Sequence, residues 1–276
     1  MKIATLLENT VCRDDFKCEH GLSLYIETDK HKLLFDMGPN AMFLENAEKL
    51  GVDLTKVDTA FLSHAHNDHC GGLELFCKRN STAPVYLQKR AFGNYYVVTP
   101  KKCEYIGLDS VLKKYAAERF RYGEGVVKID DELTVFSDIR TRDLWSHAND
   151  TLREKYETEY PLDAFLHEQN LLVTENGKTA LFAGCAHNGI VNILRRAEEI
   201  LGKSPDAVFA GFHLYNPSLD APEPRELVNA VGEELKAREG TRYVTGHCTG
   251  SVAYGWLKEI LGDRLDYMAG GTTFEV

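Results

Sequence analysis

The segment LSHAHNDHCGG places His64, His66, Asp68 and His69 within six consecutive positions. Imidazole is the commonest protein ligand for zinc-like cations, and a carboxylate completes many such sites. His64 and His66 are two apart, so in an extended segment they face the same way. Asp68 and His69 are adjacent and are expected to diverge. One loop can thus offer two ligands to one ion and two to a second. A helical HExxH zinc site has a different spacing, and none is present.

Three further histidines follow apolar runs. TALFAG leads to Cys185-Ala186-His187-Asn188, DAVFAGF to His213-Leu214-Tyr215, and RYVTG to His247-Cys248-Thr249-Gly250. Each reads as a polar loop at the C-terminal end of a strand, which is where α/β folds place their chemistry. Asp36, in LLFDMG, also ends a strand. It is expected to brace a His ligand from behind rather than to bind metal itself. His20, His31, His147 and His167 have weaker contexts, which point to surface or packing roles.

The elements that must position these groups alternate along the chain. KIATLLE, LSLYIET and KLLFDMG read as three strands, with a turn at Asp29-Lys30-His31 between the last two. MFLENAEKLG reads as a helix stopped by Gly51. TAFLS is a short β-prone run feeding the histidine loop; Gly71-Gly72 breaks the chain, and a helix follows to about residue 79. PVYL (84–87) is a further strand. Residues 88–165 are less regular and rich in tyrosine, with strand-like VVKI and LTVFSDI between, and read as an insertion covering the site, with aromatics forming its own core. NLLVTENGKTALFAG is a hairpin turning at Asn176-Gly177. Then come helices in NGIVNILRRAEEILG, PEPRELVNAVGEELKAREG and SVAYGWLKEILG, strands in DAVFAGF and RYVTG, and a closing strand in LDYMAGGTTFEV. Ile190, Ile193, Ala197 and Ile200 share one face of the first of these helices. The alternation argues for α/β layers in one domain over 1–276.

Composition narrows the partners. The net charge is −10 with pI about 5.5, which argues against a general nucleic-acid binder. A small phosphorylated substrate remains compatible, because a bound cation supplies local positive charge. MKIATLLENTVCRDD has no apolar leader, and no run of about 18 apolar residues occurs, so a soluble cytoplasmic protein without membrane contact is expected. The seven cysteines are scattered and odd in number, unlike a disulfide framework.

Taken together, HAHNDH, LLFDMG and GHCTG resemble the HxHxDH signature, the early strand ending in Asp-x-Gly and the late His motif of the metallo-β-lactamase superfamily. The resemblance runs from about residue 3 to 274. ENT, GLSLYIET, EQNLLV, GCAHNGIVNIL, GFHL and GHCTG are similar to one subgroup, the 7,8-dihydropterin-6-yl-methyl-4-(β-D-ribofuranosyl)aminobenzene-5′-phosphate synthase-like proteins. The resemblance implies a four-layer αββα sandwich with two divalent cations at one edge. Zinc leads as their identity, with iron, manganese or nickel as alternatives. Carried over, His64, His66 and His187 would hold one ion, and Asp68, His69 and His247 the other. Many superfamily members place a bridging Asp where this chain has Gly184-Cys185. Either the Cys185 thiolate supplies a ligand here, or the bridge is solvent alone. A separate upstream histidine motif is also missing, with His167 and Glu168 near its place.

The implied activity is a metal-dependent hydrolase. A hydroxide held between two ions would attack a small ester-type substrate: a phosphate ester, lactone or thioester. Asp68 would orient that hydroxide, and His213 would protonate the leaving group or contact a phosphate. Two rivals stand beside it: a di-iron redox or oxygen-handling protein on the same fold, and a metal-stabilised binding protein without catalysis. The oligomeric state is left open.

Overall fold

The computed structural model describes residues 1–276. Two seven-stranded sheets pack face to face. The first runs, edge to edge, through Thr273–Glu275, Lys2–Leu7, Ser23–Glu27, Lys32–Phe35, Thr59–Phe61, Val85–Gln88 and Phe120–Gly123. The second runs through Leu265–Tyr267, Arg242–Thr245, Ala207–Ala210, Lys178–Phe182, Asn170–Glu175, Leu133–Phe136 and Val126–Lys128.

Side-chain alternation builds the layers. Leu33, Phe35 and Phe61 face the second sheet, where they meet Leu171, Val173, Phe182, Phe209 and Val244. Their sequence neighbours Leu34, Ala60 and Leu62 face outward onto Phe43, Ala47, Leu73 and Phe76 of helices Met42–Lys49 and Leu73–Arg79. In the second sheet Leu172, Leu181, Val208 and Tyr243 face outward onto helices Ile190–Leu201, Arg225–Lys236 and Ser251–Leu261. Strands covered on both faces must be apolar nearly throughout, which explains runs such as KLLF and TALF. The architecture is the expected αββα sandwich. No helix is long and apolar enough to cross a membrane.

The inner strands pair in parallel: Lys32–Phe35 with Thr59–Phe61 in one sheet, and Lys178–Phe182 with Ala207–Ala210 and then Arg242–Thr245 in the other. Parallel pairing puts their C-terminal ends at the same edge. Asp36, Ser63, Gly184, Gly211 and Gly246 are therefore carried to one side of the sandwich.

Three expectations need correction. Residues 88–165 do not remain outside the layers. Phe120–Gly123 pairs with Val85–Gln88, and Val126–Lys128 and Leu133–Phe136 extend the second sheet, because their apolar faces complete its edge. What covers the site is a small sheet of Leu152–Glu154, Tyr95–Thr99 and Lys102–Tyr105, with the turn at residues 147–151. LDYMAGGTTFEV is not one strand. It breaks before Gly270-Gly271, so Leu265–Tyr267 closes one sheet and Thr273–Glu275 the other. Finally, Asn67–Cys70 is a short helical turn rather than an extended loop.

Candidate metal centre

That turn changes how the contiguous ligands meet. His66 is extended at φ −83° and ψ 144°, and the helical turn then folds Asp68 and His69 back. They do not diverge: Asp68 Oδ2 and His69 Nε2 lie 3.4 Å apart. His247 Nε2, from the far sheet, lies 3.2 Å from each of these two atoms. His64 Nε2 and His187 Nε2 lie 3.2 Å apart as a second pair. The ring of His66 is 4.8 Å from that of His187. All seven candidate ligands, Cys185 included, thus converge on one buried spot.

Four of the five rings are held through their other nitrogen. His69 Nδ1 donates to Asp36 Oδ2 at 2.6 Å. Ser63 Oγ donates to the same oxygen at 2.7 Å, so it accepts from His64 Nδ1 at 2.8 Å. His187 Nδ1 donates to Asn149 Oδ1 at 3.0 Å, and His247 Nδ1 to Asn9 Oδ1 at 2.8 Å. With Nδ1 protonated in all four, each Nε2 presents a lone pair. Facing lone pairs at 3.2 Å repel unless a cation sits among them, and this tautomer is the one metal-binding histidines adopt. The buried Nε2 of His66 also lacks any partner. The donor set fits divalent cations.

Electrostatics agree. Burial, with neighbouring imidazoles, holds His64 and His187 well below the usual histidine pKa. Burial alone would raise the Asp68 carboxyl, but His69 and His247 hold it well below the ordinary range. Burial opposes a proton on His69, yet Asp68 and Asp36 outweigh it and push its pKa up to about 10. The site thus attracts positive charge, which either a proton or a cation can supply.

The strand ends bend sharply to deliver these groups. Asp36, Ala186, His213 and His247 have φ of 59°, 53°, 48° and 51°. Such left-handed conformations are costly for residues with a Cβ and cluster at functional sites. Buried glutamates hold two of the turns. Glu168 accepts from the backbone N–H of His187 at 2.6 Å and of Asn188 at 3.1 Å. Glu8 accepts from the N–H of His247 at 2.5 Å and from Tyr267 Oη at 3.1 Å. A third, Glu223, accepts from Ala148 N–H at 2.6 Å and Ser146 Oγ at 2.8 Å, fixing the covering turn. Gly184 is required by close approach, since a Cβ there would lie 2.1 Å from Ser63 Oγ.

Sequence reading gave no role to Asn9, Glu8, Asn149 and Glu223, although the first two stand in the ENT motif that carries the resemblance. His20, expected in a surface or packing role, is exposed, and it stands on the rim of the site, its ring 4.6 Å from that of His247 and its Nε2 3.4 Å from Asp68 Oδ2. His167 accepts from Ala65 N–H and donates to Asp163, so neither nitrogen is free. His213 is buried with neither ring nitrogen partnered.

The centre forms the floor of a cleft of about 250 Å³. Val97, Ile106 and Leu152 from the covering sheet make an apolar wall, Lys102 and Glu104 stand nearby, and His213 and Asn216 close the opposite side.

Comparison with known proteins places this arrangement. The sequence profile described as "Metallo-beta-lactamase superfamily" matches residues 17–247. An uncharacterized protein of Methanocaldococcus jannaschii is 27% identical over 267 residues, covering 94% of each chain. From the same organism, a protein named 7,8-dihydropterin-6-methyl-4-(beta-D-ribofuranosyl)-aminobenzene-5'-phosphate synthase is 28% identical, covering 98% of this chain and 95% of its own. A crystal structure described as a metal-dependent hydrolase of the beta-lactamase superfamily superposes with TM-score 0.81 at 25% identity, covering 100% of this chain and 99% of that one. The profile spans most of the chain, and the fold and the convergent histidines agree with it: this protein belongs to the metallo-β-lactamase superfamily.

Proposed function

We propose that the chain is a metal-dependent hydrolase of a small ester-type substrate, a phosphate ester, lactone or thioester. His64, His66 and His187 would hold one divalent cation, and Asp68, His69 and His247 the other, with zinc favoured by the nitrogen-rich set. When bound, the cations would polarise the scissile group and make a water nucleophilic near neutral pH. The observation that carries this reading is the commitment of four Nδ1 atoms to protein acceptors, which leaves four Nε2 lone pairs facing inward.

The chain's own groups supply the rest. Asp68, with 15% of its side chain exposed, can hold the attacking water in line through a carboxylate oxygen. His213 lines the cleft with both nitrogens unpartnered, so it can bind a substrate oxygen or pass a proton to the leaving group. Val97, Ile106 and Leu152 exclude water from one side of the substrate. The cleft volume suits a small molecule, phosphorylated or cyclic, rather than a polymer. Location in the cytoplasm is part of the same proposal.

The 28% identical relative is named a synthase, which favours a second reading in which the same centre joins two molecules instead of cleaving one. One experiment separates these readings: metal analysis of the protein purified without added metal, joined to a screen of phosphate esters, lactones and thioesters. We expect about two divalent cations per chain, turnover of at least one ester class, and loss of most metal and nearly all activity in His66→Ala. Full turnover by a metal-free preparation sinks the proposal, and two bound cations with no turnover across the panel favour the synthase reading.

A further inference from the structure

Cys185 occupies an unusual position among the ligands. Its sulfur belongs to three convergent donor sets: with Asp68, His69 and His247; with His64 and His187; and with His213 and Cys248. Within each set the donor atoms lie within 4.8 Å of one another. The first set can be tested against coordination geometry. A tetrahedral cation with nitrogen and oxygen ligands at about 2.0–2.1 Å has ligand-to-ligand edges of about 3.3–3.4 Å, and sulfur at about 2.3 Å lengthens its own edges only slightly. The separations here are 3.4 Å for Asp68–His69, 3.2 Å for Asp68–His247 and 3.2 Å for His69–His247, and Cys185 Sγ stands 3.1 Å from His69 Nε2. Four edges of the tetrahedron are thus already near the required length, with sulfur as the fourth vertex. On its other side the same sulfur faces the His64–His187 pair, whose Nε2 atoms are again 3.2 Å apart.

Besides Cys185, Asp68 also reaches both halves, since its carboxylate forms a set with His64 and His66 as well; the other buried acids nearby are committed elsewhere. Asp36 is committed to Ser63 and His69, Glu168 to the backbone of His187 and Asn188, and Asp163 to His167. Cys185 itself is 3% exposed, and its thiol is not engaged in holding any turn. The bend at Ala186, with φ 53°, turns the strand end so that the sulfur meets the histidines.

We propose that Cys185 Sγ, as a thiolate, is the ligand common to both cation positions, and that it biases the centre toward thiophilic cations such as zinc or cobalt over magnesium or manganese. This rests on the two-cation reading above. On loading, the S–H bond breaks, the proton leaves to solvent, and the sulfur lone pairs bind both cations; no oxidant or reductant is involved.

Cobalt(II) tests it on the full chain, stripped with chelator and then titrated. Bound cobalt is counted by metal analysis, the near-ultraviolet sulfur-to-cobalt charge-transfer band is followed by absorption, and sulfur per cobalt is read by X-ray absorption. We expect the band to grow over both equivalents and one sulfur per cobalt at saturation. The same count is expected in Cys248→Ser, or in Cys248→Ala should the serine variant misfold. A band complete at the first equivalent, half a sulfur per cobalt, or none overturns the shared thiolate. So does a count that halves when Cys248 is replaced, since each cysteine would then hold its own ion. A wild-type chain that binds fewer than two equivalents overturns the two-cation reading itself, whereas two equivalents without sulfur overturn only the thiolate.

Discussion

The two sources of ligands in this molecule are built differently. His64, His66, Asp68 and His69 come from one short stretch and are braced from close by, through Ser63 and the end of the neighbouring strand at Asp36. His187 and His247 arrive singly from the other sheet, and each is held by residues far away in sequence. Asn149 and Glu168 fix the first, and Asn9 and Glu8 fix the second. A contiguous ligand block is nearly organised once its strand and turn form. The solitary histidines take their places only when remote parts of the chain have packed.

Removal of the cations should separate the two regions most strongly. A ligand that binds only the folded chain adds about 2.7 kcal/mol at a hundredfold excess over its Kd. Chelation should lower the melting temperature by several degrees. Hydrogen exchange on the stripped protein should rise more at residues 185–188 and 247–250 than at 64–70; equal rises would erase the distinction.

Asp36→Ala should be next in size. That carboxylate anchors the Ser63 N–H, the Ser63 hydroxyl and His69, and through Ser63 it sets His64. Those two histidines fall in different proposed ligand sets, so both metal equivalents should weaken, by roughly 10- to 100-fold each. Calorimetry that shows only one equivalent affected would contradict this.

Gly184→Ala drives a methyl group into Ser63 Oγ and should cost about 1–3 kcal/mol in urea unfolding. Asn149→Ala removes the acceptor of His187 Nδ1 and the donor to the His187 carbonyl, and should weaken one equivalent by about tenfold while sparing the other. The smallest change is expected for Glu8→Gln. Its amide oxygen can still accept from the His247 N–H, so metal affinity should fall by less than about tenfold, measured by competition with a chromogenic chelator.

How much of this was legible beforehand follows the same division. The layered fold was readable because apolar runs such as KLLF and TALF alternate with amphipathic helices, and that periodicity is local. His187, His213 and His247 could be singled out because each follows an apolar strand. Asp36 was readable as a brace because it ends a strand. Asn9 and Glu8 stood in ENT, one of the motifs that carry the resemblance, and Asn149 and Glu223 in none; no local pattern gave any of the four its role, since each acts through hydrogen bonds to residues distant in the chain. Within 120–136, VVKI and LTVFSDI were legible as strand-like, but they were assigned to the insertion because the sheet that receives short edge strands cannot be read locally. Asp68 and His69 were expected to point apart, and only the helical turn at Asn67–Cys70 folds them together.

The amino-acid order alone therefore determined which side chains are chemically capable, that they sit at strand ends, and that strands and helices alternate in layers; the two-sheet sandwich itself was implied by the family resemblance. Tertiary structure decided the rest: which nitrogen of each ring is tied, which rings face one another, and that one sulfur stands among three donor sets. The physical reason is range. Periodicity and strand-end placement act over a few residues, whereas ligand geometry is set by hydrogen bonds and packing between segments more than a hundred residues apart.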